Sequence, residues 1–273
     1  LDAIYPDRRI HTKYNPLVST GRTSCGASKL GSQYKNMQNV TNVEGLRECF
    51  TAYGNTRLIN CDYSSQESVL FADQCQDPAL LAFWQAKEGD MHSYVARLLW
   101  PEILGHMSLE EIKAARPDLR TKAKSAGFAI QYGSKGWSIA HTLNIQLEDA
   151  EDIYHRYMKA FPGMAKYFLK VQNAAFRDGY ITINEQVGAK RYFYDADLLR
   201  PYWHHYRLDS RSKKVPYELR GQLGYIARQA LNSPTQGTAA LMSMVAGNNY
   251  LDWIFYEEKG FRTVKIVNFV HDE

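Results

Sequence analysis

Two apolar, strand-like segments stand towards the two ends of this chain, and most of what separates them carries helical periodicity. Arg57 to Asp62 (RLINCD) alternates, and Val264 to Val270 (VKIVNFV) is β-branched and aromatic, so each predicts a strand. Each also delivers an aspartate. Asp62 ends the first strand, and Asp272 lies in the turn after the second, between His271 and Glu273. If the two strands pair side by side, both carboxylates reach one point. Strands towards both ends with a helical block between them predict an α+β fold. The sequence stops one tight turn after its last strand, where an exposed edge would lack a partner, so it reads as a fragment of a longer protein.

Within the block, Ser108 and Glu111 form a capping box, and Pro117 separates that helix from a longer one reaching about Tyr132. Leu147 to Phe161 is amphipathic and is predicted to stop at Pro162-Gly163. Tyr180–Thr182 and Lys190–Tyr194 read as a hairpin. A polar, basic insertion is expected around His204 to Lys214, followed by two helices over about 217–231 and 238–258. The first 55 residues are rich in Gly, Ser, Asn and Thr and predict loops and extended segments. His204-His205 reads as exposed loop, the Met242/Met244 region as core, and Gly133-Ser134-Lys135-Gly136 lacks the spacing of a phosphate loop.

Composition narrows the class. At 273 residues with 45% apolar and 23% charged side chains, the chain is globular and can bury a sizeable core. A long uncharged run, Ala230 to Leu251, contains Asn, Ser, Pro, Thr, Gln and Gly, which excludes a membrane span. With no signal-like segment at its start, the chain predicts a cytoplasmic protein. Cys25, Cys49, Cys61 and Cys75 have neither disulfide-framework nor CxxC spacing, which predicts reduced thiols. The net charge of +4 is unevenly spread. Arg8 to Val43 holds six basic residues and Leu119 to Leu147 four, with no carboxylate in either stretch. Such stretches suit surfaces that face a polyanion, or are plain solvated faces.

Three patterns carry chemistry. Strand-end carboxylates such as Asp62 and Asp272 suit Mg²⁺, which takes a few carboxylates plus substrate phosphates. Two such ions about 3.5–4 Å apart can activate an attacking hydroxyl and stabilise a leaving phosphate. Either aspartate taken alone is equally a turn or cap residue. The third pattern is a stripe: Arg120, Lys124, Phe128 and Tyr132 recur every four residues along one helix, before Gly133. Two cations followed by two aromatics suit a triphosphate at one end and a sugar and base at the other.

The run RTKAKSAGFAIQYG, Arg120 to Gly133, resembles motif B of the family A DNA polymerases. DYSSQE (Asp62 to Glu67) resembles their motif A, and VHDE (Val270 to Glu273) their motif C. TGR at Thr20 to Arg22, NMQN at Asn36 to Asn39, GDMH at Gly89 to His92, and RQALNSPTQGTAA at Arg228 to Ala240 also match, in the same order. Ser65-Gln66, Ser68-Val69, Gly127 and Ala129 depart from the usual bacterial residues and lean towards a phage-type enzyme.

The resemblance implies template-directed DNA synthesis on a right-handed architecture: palm over 1–66 and 216–273, with an antiparallel sheet, and helical fingers over 67–215, the thumb being absent. Asp62 and Asp272, with the Tyr63 carbonyl, are expected to hold two Mg²⁺ ions, Mn²⁺ being a substitute, with Glu273 in support. Arg120, Lys124 and His92 are expected on the triphosphate, Phe128 on the sugar, Tyr132 near the templating base, and Glu67 as a gate against a ribose 2′-hydroxyl. Arg22, Asn36, Gln38, Asn39, Arg228, Asn232, Gln236 and His271 are expected on primer and template. The implied partners are primer-template DNA and dNTPs, with no membrane, a monomeric state, an unidentified processivity factor, and a role in replication or repair. Alone, this chain is expected to be weakly stable and poorly processive or inactive. A single-subunit RNA polymerase and a catalytically dead primer-template-binding relative are the competing readings.

Overall fold

A computed structural model describes residues 9–16, 18–26, 36–40, 43–87, 89–257, 266 and 268. The fold is α+β, mostly helical with two small antiparallel sheets. It divides into two compact units, one of residues 1–66 and 236–273, the other of residues 67–235.

In the first unit, β1 (Tyr14–Asn15) pairs antiparallel with β2 (Ser24–Cys25), and a 3₁₀ turn covers Arg47–Cys49. The chain reverses between the strands at Gly21, whose φ of +79° favours glycine and whose N–H donates to the Val18 carbonyl (2.9 Å). The strand predicted over Arg57–Asp62 is not formed: these residues are exposed and outside regular structure. An apolar alternation becomes a strand only with a ladder partner. Its predicted partner, 264–270, lies outside the described residues except for Ile266 and Asn268, and so does the expected sheet joining Asp62 to Asp272.

The second unit is a helical block: α1 (Gln66–Cys75), α2 (Pro78–Ala86), α3 (Met91–Leu99), α4 (Pro101–Leu104), α5 (Leu109–Ala115), α6 (Pro117–Gln131), α7 (Gly136–Leu143), α8 (Leu147–Ala160) and α9 (Pro162–Asp178). It continues through the hairpin β3 (Tyr180–Asn184)–β4 (Ala189–Tyr192), α10 (Ala196–Leu208) and α11 (Tyr217–Tyr256), which enters the first unit after Thr235. Proline opens α2, α4, α6 and α9, where its missing N–H has no intrahelical use. The α5 capping box forms as predicted, with Ser108 N–H donating to Glu111 Oε2 (2.7 Å) and Glu111 N–H to Ser108 Oγ (3.2 Å).

Pro162-Gly163 does end α8, and the same pair begins α9, a helix the sequence reading missed. The link is Asp77, fully buried at the N-cap of α2. Its Oδ1 accepts from Ala79 N (3.0 Å) and Leu80 N (3.2 Å), while Oδ2 accepts from Gly163 N (2.6 Å). One carboxylate thus serves the positive ends of two helices. A Cβ at residue 163 would lie 2.8 Å from Asp77 Oδ2 and 2.9 Å from its Cα, so glycine is required there.

Two apolar clusters follow from these helices. Phe71, Leu80, Leu99, Leu104, Ile112 and Ile130 are among the side chains that build one, and Phe176, Ile181, Leu199, Trp203, Leu223 and Ile226 are among those of the other. The hairpin is as expected, with Tyr180 opposite Tyr192 and Lys190 Nζ 4.4 Å from the Tyr180 ring centre. The first part of the expected insertion at His204–Lys214, residues 204–208, is the end of α10, and 209–214 follow as turns. Ala196, Leu199 and Trp203 turn inward at helical spacing, and Trp203 stacks on Phe176 with ring centres 4.3 Å apart. The surrounding polar residues and Pro201 hid that period. The two helices expected after Pro216 are the single helix α11, which carries Pro234 in its interior. Burial of Leu231, Ser233 and Thr235 around Pro234 offsets the one backbone hydrogen bond it forfeits. Met242 is 39% exposed and is not core.

Replacing Asp77 by Ala leaves three N–H groups, of Ala79, Leu80 and Gly163, without their acceptor and is expected to destabilise the protein by about 2 kcal/mol. Asp77→Asn, which keeps one acceptor oxygen, is expected to cost less. Urea denaturation of both variants measures the difference.

Candidate functional site

α6 presents its predicted stripe as expected. Ala123, Ala126 and Ile130 face the core, leaving Lys124 exposed and Arg120, Phe128 and Tyr132 half-buried along the other side. Phe128 and Tyr132 lie nearly parallel, with ring centres 6.2 Å apart, and His92 on α3 stands 5.8 Å from Phe128. The Tyr132 hydroxyl donates to Glu67 Oε2, which ties the end of the stripe to the first turn of α1. A small indentation is lined by Met91, His92, Lys124, Phe128, Gln131 and Tyr157, among others. Below it, the Gln131 amide donates to the buried Tyr157 hydroxyl (3.0 Å). Gly133 ends the stripe at φ +84°, and a Cβ there would meet Leu231 Cδ1 at 3.0 Å. The left-handed backbone is what favours glycine at that position, and a Cβ would also press on Leu231.

Arg120 is not a bare cation. Its Nε and Nη2 donate to the two oxygens of Asp90 at 2.8 and 2.7 Å, a bidentate pair with both side chains about a quarter exposed or less. Asp90 is also the N-cap of α3, accepting from the Ser93 N–H and hydroxyl (both 2.7 Å). Burial alone would raise the Asp90 pKa, but the bonds from Arg120 and Ser93 outweigh it and hold the carboxyl well below the usual carboxylate range. His92 is pushed down to about 4, chiefly by burial, with Lys124 and Arg120 adding to the Coulombic cost and Asp90 opposing it. At neutral pH His92 is therefore an uncharged imidazole among two cations and one anion. Asp90 is a side chain at the site to which the sequence alone gave no role. Its Asp-x-x-Ser helix start was legible, but its pairing with a residue thirty positions away was not.

The structure brings Glu67, His92, Arg120, Lys124, Phe128 and Tyr132 together within the second unit. Arg228 and Asn232 lie on α11 in the same unit, and Gln236, one turn on, belongs to the first. Arg228 and Asn232, spaced by four, share one helix face. The Asn232 Oδ1 atom is buried and has no hydrogen-bond partner among the described residues. In the first unit Asn36 and Gln38 gather at β2, close to Arg22 in sequence. The Gln38 side chain donates to Thr23 Oγ1 (2.7 Å), and Asn36 Oδ1 accepts from Gln38 N (3.0 Å) and the Cys25 thiol (3.1 Å). Asn39 is exposed beside them, and Asp62 and Tyr63 are exposed on the segment before α1. His271, Asp272 and Glu273 lie outside the described residues. Among the described residues no group of three or more His, Cys, Asp or Glu side chains forms a metal cluster. No helix among them is long and apolar enough to cross a membrane.

The His92 shift has a consequence for stability. Its folded pKa of about 4 lies below the ordinary histidine value of 6.5, so between these values the unfolded chain binds the extra proton. The stabilisation is complete above pH 6.5 and is lost as pH falls towards 4. A His92→Gln variant is expected to show a flatter dependence of Tm on pH over that window than the wild type, measured by thermal unfolding.

All 273 residues match the model of DNA polymerase family A. DNA polymerase I of Mycobacterium leprae is 29% identical over 90% of this chain and 24% of its own length. That of Caldicellulosiruptor bescii is 29% identical over the whole chain and 28% of its own length. The chain thus spans about a quarter of the length of the curated relatives it matches. The POL domain of Pol1 from M. smegmatis, solved in complex with DNA primer-template and dNTP, superposes with a TM-score of 0.74 at 27% identity, covering 99% of this chain and 42% of that one. A match to the family model along its entire length places this chain in DNA polymerase family A.

Proposed function

We propose that this chain forms part of the polymerase region of a DNA-directed DNA polymerase, which adds a deoxynucleotide to a primer 3′-hydroxyl and releases pyrophosphate. The carrying observation is the joint placement of His92, Arg120, Lys124, Phe128 and Tyr132 on one side of the second unit, with Glu67 bonded to Tyr132. That unit supplies the fingers over 67–215, with the 217–235 part of α11 packed on their core through Leu223, Ile226, Ala227 and Ala230. The palm comprises 1–66 and 216–273. Family membership and the primer-template and dNTP bound to the M. smegmatis neighbour support this reading.

In this assignment Lys124 and Arg120 contact the triphosphate, and His92, uncharged at neutral pH, donates one N–H to a phosphate oxygen. Phe128 packs on the incoming sugar, and Tyr132 lies near the templating base. Glu67, held by the Tyr132 hydroxyl, closes the space that a 2′-hydroxyl would need. Arg22, Asn36, Gln38, Asn39, Arg228, Asn232, Gln236 and His271 hold primer and template through phosphates, sugars and minor-groove edges, which read shape and not sequence.

The Asp62 carboxylate and Tyr63 carbonyl are hard oxygen donors of the kind Mg²⁺ takes, and both belong to an exposed segment. Asp62, Tyr63 and Asp272 would hold two Mg²⁺ ions, with Mn²⁺ as a substitute and Glu273 in support. When bound, the metal supplies Lewis-acid stabilisation of charge on the reacting oxygens.

Primer extension with Mg²⁺ by the full-length protein tests this reading. Asp62→Ala and Asp272→Ala are each expected to abolish extension while duplex binding is kept; tight duplex binding without extension by the wild type would contradict it. Lys124→Ala is expected to lower incorporation about a hundredfold with little loss of duplex affinity, and equal losses in both would remove the triphosphate role. Glu67→Ala is expected to raise ribonucleotide incorporation, read by competing rNTP against dNTP; unchanged sugar discrimination would sink the gate.

A further inference from the structure

The cationic side of α6 contains an anion that the assignment above does not use. Asp90 accepts four hydrogen bonds, from Ser93 N and Oγ (both 2.7 Å), Arg120 Nε (2.8 Å) and Arg120 Nη2 (2.7 Å). A carboxylate beside a triphosphate site repels the ligand unless a cation already neutralises it. Here the fork with Arg120 does so, and it occupies one edge of the guanidinium only. Of the five N–H groups of Arg120, the fork uses one on Nε and one on Nη2. Both on Nη1 and the second on Nη2 remain for phosphate oxygens. An arginine without such a tether has to be immobilised at each binding event, which weakens binding.

We propose that Asp90 is a positioning residue for the incoming nucleotide: it makes no contact with the triphosphate and presents Arg120 to it in a preformed orientation. The proposal rests on the triphosphate role assigned to Arg120 above. Because Asp90 also caps α3, its test has to separate the fork from the cap. Asn has the same shape and is an equally good N-cap, so Asp90→Asn keeps the cap and removes the charge of the fork. Ser93→Ala does the reverse, removing one cap contact and leaving the fork.

The experiment is single-nucleotide incorporation by the full-length protein, reading KM for dNTP and kcat in wild type, Asp90→Asn, Arg120→Ala, the double variant and Ser93→Ala, with Tm for each. Asp90→Asn is expected to raise KM about tenfold with a smaller fall in kcat and a Tm near wild type. In the Arg120→Ala background the same change is expected to raise KM no further, because Asp90 then has nothing to position. A tenfold rise in both backgrounds would show that Asp90 acts without Arg120 and would overturn the proposal. An unchanged KM in Asp90→Asn, with KM raised in Arg120→Ala, would overturn it and leave the triphosphate reading standing. An unchanged KM in Arg120→Ala removes that reading, and the proposal with it. Ser93→Ala is expected to lower Tm and leave KM unchanged; a KM rise equal to that of Asp90→Asn would assign the effect to the cap and overturn the proposal.

Discussion

The fork between Asp90 and Arg120 is the interaction on which the rest of the candidate site depends. Arg120 and Lys124 are one turn apart on α6, and like charges at that spacing repel. A helix that keeps two cations on one face before any ligand arrives needs an anion nearby, and Asp90 supplies it from another helix. The same carboxylate starts α3 and so sets the position of His92 two residues later. Burial keeps His92 neutral, which spares the site a third positive charge. Lys124 is left as the exposed cation of the stripe, while Arg120 is held by one edge of its guanidinium.

What makes such a face rigid lies behind it. The inward side of α6 is lined by small residues, Ala123, Ala126 and Gly127, which let neighbouring elements approach closely. The glycines here do different work. A Cβ on residue 127 would meet the Tyr157 ring at 3.6 Å, an ordinary contact, so close packing there does not demand glycine. At Gly133 the backbone is left-handed, so the end of the stripe is fixed by conformation, with Leu231 standing 3.0 Å from where a Cβ would be. Tyr157, fully buried, is locked by Gln131, and burial pushes its hydroxyl pKa up, so it is a neutral strut and not a titrating group.

How legible each part was in the sequence follows from where its determinants lie. Helix starts were readable because they are local: Ser108 with Glu111 and Pro117 each act within one turn of the chain. The α6 stripe was readable for the same reason, since four-residue spacing places side chains on one face whatever surrounds them. Long-range determinants were not readable. Asp77 caps its own helix and also takes the Gly163 amide, so Pro162-Gly163 looked like a stop when it was a stop and a start. RLINCD alternates like a strand, yet alternation supplies no ladder partner. The period of α10 rests on Ala196, Leu199 and Trp203 alone, with polar and aromatic residues between them. Pro234 suggested two helices because a proline's cost is visible in sequence, while the burial that offsets it is not.

Asp77 and Asp90 show why the same local pattern has two outcomes. Both are N-cap aspartates, and the residues around them would earn the same reading from sequence. Asp77 is fully buried and directs its second oxygen to another helix's backbone, which fixes two helices against each other. Asp90 is partly exposed and directs its second oxygen to a side chain, which remains free to bond elsewhere through its other edge. A backbone amide held by a buried carboxylate has no further partner to seek and serves only the scaffold. A guanidinium held by one edge still carries three donors, so the pairing that stabilises the helix face also leaves it able to bind. The difference between a structural cap and a positioning residue is therefore made by the partner and not by the aspartate.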